Sequence, residues 1–177
     1  MQIWDADTGE TLRTYRGHEG HDSQVSVVVW SPDGKRIVSS NSFVDSNNTV
    51  QVWDSITGET LVVYDQYTRH SVPTLAVGWS PDGRRIASST GTAAGLFVWD
   101  AATGETLRRL PGEVFAWSPD GKYIASSDIF DNETVNVWDV DTRKSVVTLQ
   151  GRVFAWSPDG KYIAAVSSDG AIARQTI

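Results

Sequence analysis

Short runs of alternating apolar and polar residues, each closed by a turn signal, repeat along the whole chain. In the best-preserved copy the run Val114–Trp117 ends on tryptophan and is followed by Ser-Pro-Asp-Gly. Proline sets φ at the second position of a tight turn, aspartate is tolerated at the third, and glycine closes it. A basic residue and a second alternating run follow, so the unit predicts a β-hairpin. Because no stretch keeps a 3.6-residue periodicity, we expect essentially no helix.

The hairpin unit occurs four times and alternates with a second marker, Trp-Asp. The residues Val114–Ala125 return unchanged at Val153–Ala164, and looser copies lie at Val28–Val38 and Leu75–Ala87. All eight tryptophans of the chain fall on the two markers, and we expect all of them to be structural. The hairpin tryptophans are Trp30, Trp79, Trp117 and Trp156, and those of the second marker are Trp4, Trp53, Trp99 and Trp138. Self-similarity at a fixed period is typical of repeat architectures.

Repeats of about 40 residues with Trp-Asp at a strand end, and Gly17-His18 before the next hairpin, resemble WD40 repeats in a bacterial style. The resemblance covers nearly the whole chain. It implies an all-β fold, a WD40 β-propeller whose repeats are four-stranded blades around a central channel. Strands a, b, c and d run outward from the channel. Strand a ends in Trp-Ser-Pro, b follows the turn, c ends in Trp-Asp and d comes last.

In this scheme the chain forms a single half-propeller domain, 1–177, with four blades. The chain begins within a blade, at strand c, and not at a blade boundary. The first three blades are predicted at about 24–66, 73–110 and 112–149, and the fourth combines 152–177 with 1–16. The N-terminal strands c and d would then complete the C-terminal hairpin of strands a and b. In the tail, Gln175 stands where strand c carries tryptophan, which indicates either a strand supplied from elsewhere or a worn terminal repeat.

Unpaired strand edges at the two ends would be aggregation hazards, so we expect the ring to close. One chain could close on itself as a four-bladed ring. Alternatively, two chains could exchange strands c and d and give eight blades, and both sizes occur among propellers. We favour the homodimer, because the resemblance implies wedge-shaped blades suited to larger rings, and a head-to-tail contact that closes after two copies makes a ring.

The resemblance also implies a buried polar network of His, Ser or Thr, Asp and Trp in each blade. Counting back from the strand-a tryptophan assigns His21 and His70 to this network and makes His18 part of an insertion. The aspartate position holds Asn47, Ala93 and Asn132. The last two blades lack a histidine. The best surviving set is His70 with Ser88 or Ser89 and Trp99.

Composition argues against a nucleic-acid-binding protein and against a membrane-spanning protein. The formal net charge of −7 disfavours nucleic acid, and no apolar run is long enough for a membrane span. The chain contains no cysteine and begins without a signal-peptide pattern, which together favour a cytoplasmic location.

Catalytic and metal chemistry find little support in the motifs. His18, His21 and Asp22 could contact a metal ion, but further ligands at zinc spacing are missing, so we expect no metal. The repeated turn residues Asp33, Asp82, Asp120 and Asp159, with the serines that precede them, are turn formers first. We expect no catalytic residue and no cofactor, and predict that the protein is not an enzyme.

The unequal b–c and d–a loops share the top face of a propeller, and function tends to lie on irregular loops. Apolar side chains in these polar loops suggest a protein or peptide interface. The candidate residues are Phe43, Val44, Tyr67, Arg69, His70, Ile129 and Phe130. The alternative is that Phe43 and Phe130 fold down as lids over the blade ends. The predicted function is a non-catalytic interaction scaffold, or otherwise a structural self-assembly module with no specific partner.

Overall fold

Alternating strands and tight turns form the architecture of this chain in a computed structural model. The structure describes residues 1–18, 24–42, 48–65, 74–90, 95–127, 134–166 and 172–176. The regular elements in these ranges are seventeen strands, arranged in five antiparallel sheets. The prediction of an all-β fold is confirmed. None of the described residues belongs to a helix that could cross a membrane.

Three of the sheets are complete four-stranded blades in the order a, b, c, d. The first contains β3 (Gln24–Trp30), β4 (Arg36–Ser42), β5 (Val50–Asp54) and β6 (Thr60–Tyr64). The second contains β7 (Thr74–Trp79), β8 (Arg85–Thr90), β9 (Leu96–Asp100) and β10 (Thr106–Leu110). The third contains β11 (Val114–Trp117), β12 (Tyr123–Ser127), β13 (Thr134–Asp139) and β14 (Ser145–Gln150).

The two ends of the chain form partial blades. A two-stranded sheet contains β1 (Gln2–Trp4) and β2 (Thr11–Thr14), which correspond to strands c and d. A three-stranded sheet contains β15 (Arg152–Trp156), β16 (Tyr162–Val166) and β17 (Ile172–Thr176), which correspond to a, b and c.

Strand β17 changes the predicted closure. We expected Gln2–Trp4 to pair with the C-terminal hairpin, but within this chain β17 takes that edge of β16. Ile163 pairs with Gln175, just as Ile124 pairs with Trp138 in the third blade. Gln175 therefore occupies the tryptophan position of a degraded strand c, as the tail alignment predicted. The physical reason is proximity along the chain, because β17 directly follows β16 in the element order, whereas β1 is at the opposite end of the sequence.

The hydrophobic core lies between the sheets. One cluster joins Val52 and Tyr64 of the first blade to Val77 and Trp79 of the second. Two further clusters join the second blade to the third and the third to the C-terminal sheet. A fourth packs Met1, Ile3 and Tyr15 of the N-terminal hairpin against Ile37 and Trp53. Each sheet is therefore stabilised by the face of its neighbour, as burial of apolar surface requires.

Two strand-c tryptophans, Trp53 and Trp99, are almost completely buried. Trp53 is 1% exposed and stacks on Tyr15 with ring centroids 4.3 Å apart. Trp99 is fully buried and stacks in the same way on Tyr64 at 4.7 Å. Tyr64 is the last residue of strand d of the preceding sheet, and Tyr15 directly follows the corresponding strand β2. These aromatic pairs add contacts of defined geometry between neighbouring sheets.

The d-to-a links of the third and fourth blades are very short and turn at glycine. Gly112 has φ of 98°, and a Cβ placed on it would lie 2.5 Å from Ser126 Oγ and 2.7 Å from Ser126 Cβ. Only glycine fits this position for two reasons. A Cβ would collide with Ser126 of a buried strand, and the positive φ is unfavourable for any residue that has a side chain.

We predict that Gly112→Ala lowers the free energy of unfolding by about 1–3 kcal/mol more than Gly9→Ala does. Gly9 is the matched control, because its φ is 72° and a Cβ there would meet nothing within 4 Å. Urea unfolding of the two variants measures the difference. Equal losses would show that backbone strain alone explains the requirement for glycine at residue 112.

Candidate functional site

The residues predicted to bind a partner lie outside the described residues. Phe43, Val44, Tyr67, Arg69, His70, Ile129 and Phe130 all fall in the ranges 43–47, 66–73 and 128–133. They remain sequence predictions. The described residues show the strands that flank these loops and the polar networks of the blades. They also show the faces that are left exposed at the N-terminal and C-terminal ends of the chain, here called the end faces.

The polar network of the first blade begins with His18. Its Nε2 lies 2.9 Å from Ser39 Oγ, and the Trp53 indole Nε1–H donates to the same oxygen at 3.1 Å. The prediction that His18 belongs to an insertion and that His21 is in register is therefore wrong for His18. Tyr15, three residues before His18, stacks on Trp53, and His18 itself contacts the serine of the network.

Burial keeps the His18 ring neutral. Desolvation, together with the positive charge of the N-terminus, lowers the pKa of His18 to about 4, against the opposing effect of its Ser39 hydrogen bond. A neutral ring suits this position, because the Ser39 hydroxyl can donate to Nε2 while it accepts from Trp53. His18 thus acts as a structural group of the blade.

The second and third blades repeat the Trp–Ser pair of the first blade. Trp99 Nε1 donates to Ser88 Oγ at 2.9 Å, and Trp138 Nε1 donates to Ser126 Oγ at 3.0 Å. Ser126 Oγ in turn donates to the carbonyl oxygen of Pro111 at 2.8 Å. The short link that excludes a histidine therefore supplies a backbone acceptor in its place. This replacement was not predicted from the sequence, where its signal is the short link Pro111-Gly112-Glu113 between strands d and a.

The turns between strands a and b lie on the bottom face, opposite the top loops, and they repeat the same hydrogen bond from blade to blade. Ser31 Oγ donates to Asp33 at 2.6 Å and accepts from the Arg36 backbone N–H at 2.9 Å. The same serine–aspartate hydrogen bond recurs in the other three hairpins, at Ser80–Asp82, Ser118–Asp120 and Ser157–Asp159. These residues are turn formers, as predicted.

The turn aspartates have lowered pKa values for the same reason. The hydrogen bond from Ser31 lowers the pKa of Asp33, and Ser157 has the same effect on Asp159. Desolvation acts in the opposite direction on Asp82 and Asp120, but hydrogen bonds from the turn outweigh it and lower their pKa values too. A general acid needs a raised pKa, so this repeated set is unsuited to acid–base catalysis.

A second set of aspartates caps the c–d turns. The Asp54 carboxylate accepts from the backbone N–H groups of Ile56 and Thr57 at 2.9 and 2.7 Å. Asp5 and Asp100 accept corresponding bonds. Within the described ranges, no group of three or more His, Cys, Asp or Glu side chains could hold a metal ion. His21 and Asp22 of the candidate metal motif lie outside these ranges.

Several of the most exposed large apolar side chains of the described residues lie together beside the N-terminal hairpin. Trp4 is 58% exposed and Trp30 49% exposed, although both belong to the predicted structural set. Together with Ile3 and Val28 they line an apolar cleft of about 530 Å³ beside the N-terminal hairpin. Large exposed apolar patches mark interaction sites, so this cleft is the candidate site that the described residues display.

Comparisons with known proteins agree with this fold. A family model described as WD domain, G-beta repeat, matches residues 9–54, and a model described as eukaryotic translation initiation factor eIF2A matches residues 66–171. The second model therefore spans more than half of the chain. No curated protein matches.

Solved structures with a similar fold include WD40 propellers. The C-terminal WD40 domain of Sif2 has TM-score 0.73 and 19% identity over 95% of this chain and 48% of that one. The β-propeller domain of Myceliophteria thermophila Cps50 (Swd1) has TM-score 0.75 and 16% identity over 99% and 58%. A chain of the mitotic checkpoint complex has TM-score 0.71 and 24% identity over 96% and 55%. The chain thus spans about half the length of these structures, and identities this low show a shared fold alone.

We predict that His18 makes folding stability depend on pH between about 4 and 6.5, because its pKa is lowered from 6.5 to about 4. Over that range the unfolded chain binds a proton that the folded chain does not, so stability is complete above pH 6.5 and falls as pH drops towards 4. Denaturant unfolding at several pH values should show a smaller slope for His18→Gln than for the unsubstituted protein.

Acidification below pH 4 provides the internal control for His18. There the turn aspartates, whose pKa values are lowered, must be protonated, and both proteins should lose stability together. If the slope between pH 4 and 6.5 is the same in His18→Gln, the neutral His18 is not its source.

Proposed function

Because this chain belongs to the WD40-repeat β-propeller proteins and, over residues 66–171, to the family described as eukaryotic translation initiation factor eIF2A, we propose that it is a non-catalytic scaffold that holds a protein or peptide on its top-face loops. Propeller domains of this family typically serve protein interaction. The mitotic checkpoint complex, which contains one of the similar chains, is a protein assembly and supports a protein partner in general terms.

The observation that carries the proposal is the contrast between the two ends of the blades. The bottom turns repeat one set of hydrogen bonds, so they offer the same chemistry in every blade. The top loops differ in length and contain apolar groups such as Phe43 and Phe130 within polar sequence. Recognition of one partner needs an irregular surface with apolar anchors, and the sequence of the top loops supports both.

Absence of catalysis is part of the same proposal. Among the described residues, the serine–aspartate pairs of the hairpin turns bond to each other, and His18 is hydrogen-bonded within a blade. A fold of this kind supports many functions, so the activity must come from a site. A bacterial origin and a cytoplasmic location stay predictions from sequence.

A second candidate function is self-assembly, and the exposure of Trp4 and Trp30 favours it. In that case the association of copies is the activity of this chain, and no top-face partner exists. The two functions concern different surfaces, so they can be tested separately.

We predict that the double variant Phe43→Ser/Phe130→Ser loses the specific partner that the unsubstituted protein retains, with an unchanged melting temperature. The reason is that interface anchors contribute most of the binding free energy. The measurement is affinity capture from a lysate of the source organism, with the retained protein identified by mass spectrometry and thermal unfolding recorded in parallel.

Ile56→Ser is the matched control, because Ile56 is 72% exposed in a bottom turn, and it should retain the partner. A lower melting temperature with the partner still retained would show that the two phenylalanines are lids over the blade ends. Failure of the unsubstituted protein to retain any specific partner would favour self-assembly as the function.

A further inference from the structure

Equivalent residues differ sharply in exposure between the interior blades and the two ends of the chain. On the N-terminal side Trp30 is 49% exposed, whereas its equivalent Trp79 is 7% exposed. On the C-terminal side Val166 is 44% exposed, whereas Ser127 at the same station is 5% exposed. The equivalent residues are covered in the interior blades, but at the two ends no neighbouring sheet within the described chain covers them.

The interior interfaces share one hydrogen bond. Each strand-a tryptophan donates its indole N–H to the carbonyl just before the tryptophan of the preceding blade. The three bonds run from Trp79 to Val29 at 3.2 Å, from Trp117 to Gly78 at 3.3 Å and from Trp156 to Ala116 at 3.2 Å. By the same rule the next acceptor is the carbonyl of Ala155, and the remaining donor is Trp30.

A second contact repeats beside this hydrogen bond. The first residue of strand b lies over the tryptophan of the next blade. Arg36 stands 4.8 Å from the centre of the Trp79 ring, and Arg85 stands 5.4 Å from that of Trp117. Tyr123 stacks on Trp156 with centroids 6.4 Å apart. The next residue in this series is Tyr162, which is 44% exposed, and the remaining tryptophan is again Trp30.

The N-terminal hairpin is already folded as the outer half of a blade. Trp4 pairs with Thr11 as Trp53 pairs with Thr60, and Asp5 caps the turn as Asp54 does. Its strand c lacks the strand b that the complete blades contain. The apolar cleft between Ile3 and Val28 lies on this open side, where strands a and b of a complete blade would stand.

We propose that the hairpin β15–β16 of a second copy fills this cleft and completes the blade with β1–β2. Trp30 then donates to the Ala155 carbonyl of the second copy, and Tyr162 of that copy stacks on Trp30. A second copy fits because residues 153–164 repeat residues 114–125 without change, and the latter hairpin already makes these contacts with Trp156. Two such contacts give a closed ring of two chains.

Strand β17 is the competitor of this association. It pairs with β16 in the register that β1 would use, with Gln175 opposite Ile163. Since one strand edge accepts one partner, β17 must leave β16 before β1 of the other copy can bind. The exchange replaces a strand whose tryptophan position is glutamine by one that carries Trp4.

A cysteine pair tests the contact directly. In the third blade the residue before the strand-c tryptophan stands opposite the third residue of strand b, as Val137 does with Ala125. The corresponding pair between copies is Ile3 with Ala164. Paired residues on adjacent strands lie about 4.5–5.5 Å apart, which a disulfide can bridge. The chain has no cysteine of its own, so any cross-link must come from the introduced pair.

We predict that Ile3→Cys/Ala164→Cys forms a covalent dimer between chains on mild oxidation, seen as double mass without reductant. The matched control Ile3→Cys/Ala125→Cys should form none, because Ala125 has the same strand position but is fully buried in the interior. A disulfide within one chain, or no cross-link in folded protein, would overturn the proposal. Thermal unfolding under reducing conditions confirms that both variants fold.

Sedimentation of cysteine-free variants gives an independent test. Trp30→Ala should weaken dimer formation at least about tenfold, the scale of a lost interface hot spot. Deletion of 172–177 should strengthen it, whereas Ile56→Ala should leave it unchanged. An unaltered dimer in Trp30→Ala would overturn the proposal. These results do not depend on the top-face partner, whose capture Trp30→Ala should leave intact, so the two proposals can fail separately.

Discussion

Each of the three complete blades carries apolar side chains on both faces, because its residues belong to two different core clusters, and this constraint governs the rest of the structure. A sheet with two apolar faces is stable only when a neighbour covers each of them. Here the cover is specific as well as apolar, because a tryptophan N–H reaches the backbone of the preceding sheet. Blade order, blade spacing and the exposure of both end faces follow from this requirement.

The fold could be predicted because its signals are local and repeated. Ser-Pro-Asp-Gly fixes a turn through the Ser31–Asp33 hydrogen bond, whatever lies around it. Trp-Asp fixes a second turn through Asp54, whose carboxylate accepts two backbone N–H groups. Each signal needs only neighbouring residues, so four copies of each predicted the blades without knowledge of long-range contacts.

The contacts of His18 and Pro111 could not be predicted, because they depend on the path of the chain between strands. Counting from Trp30 assigned His21 to the polar network, but spacing along the chain does not show where an insertion lies. The structure places His18 against Ser39 because Tyr15, just before it, stacks on Trp53. Pro111 was missed for a related reason, since a backbone carbonyl has no side-chain signature. The candidate top-face residues lie in loops whose course no repeat predicts.

The two partial blades explain why Trp4 and Trp30 are retained at exposed positions. Exposed tryptophan costs solubility, so a covering neighbour is the physical rationale for keeping it. Ala165 stands where Ser126 holds the Trp138 indole in the third blade, so a blade completed by β1 would give Trp4 no such hydroxyl. Strand-a contacts, with Trp30 at their centre, must therefore contribute most of the specificity of the end face. Since β17 already satisfies the edge of β16, the gain on association comes from covering these faces and not from adding backbone hydrogen bonds.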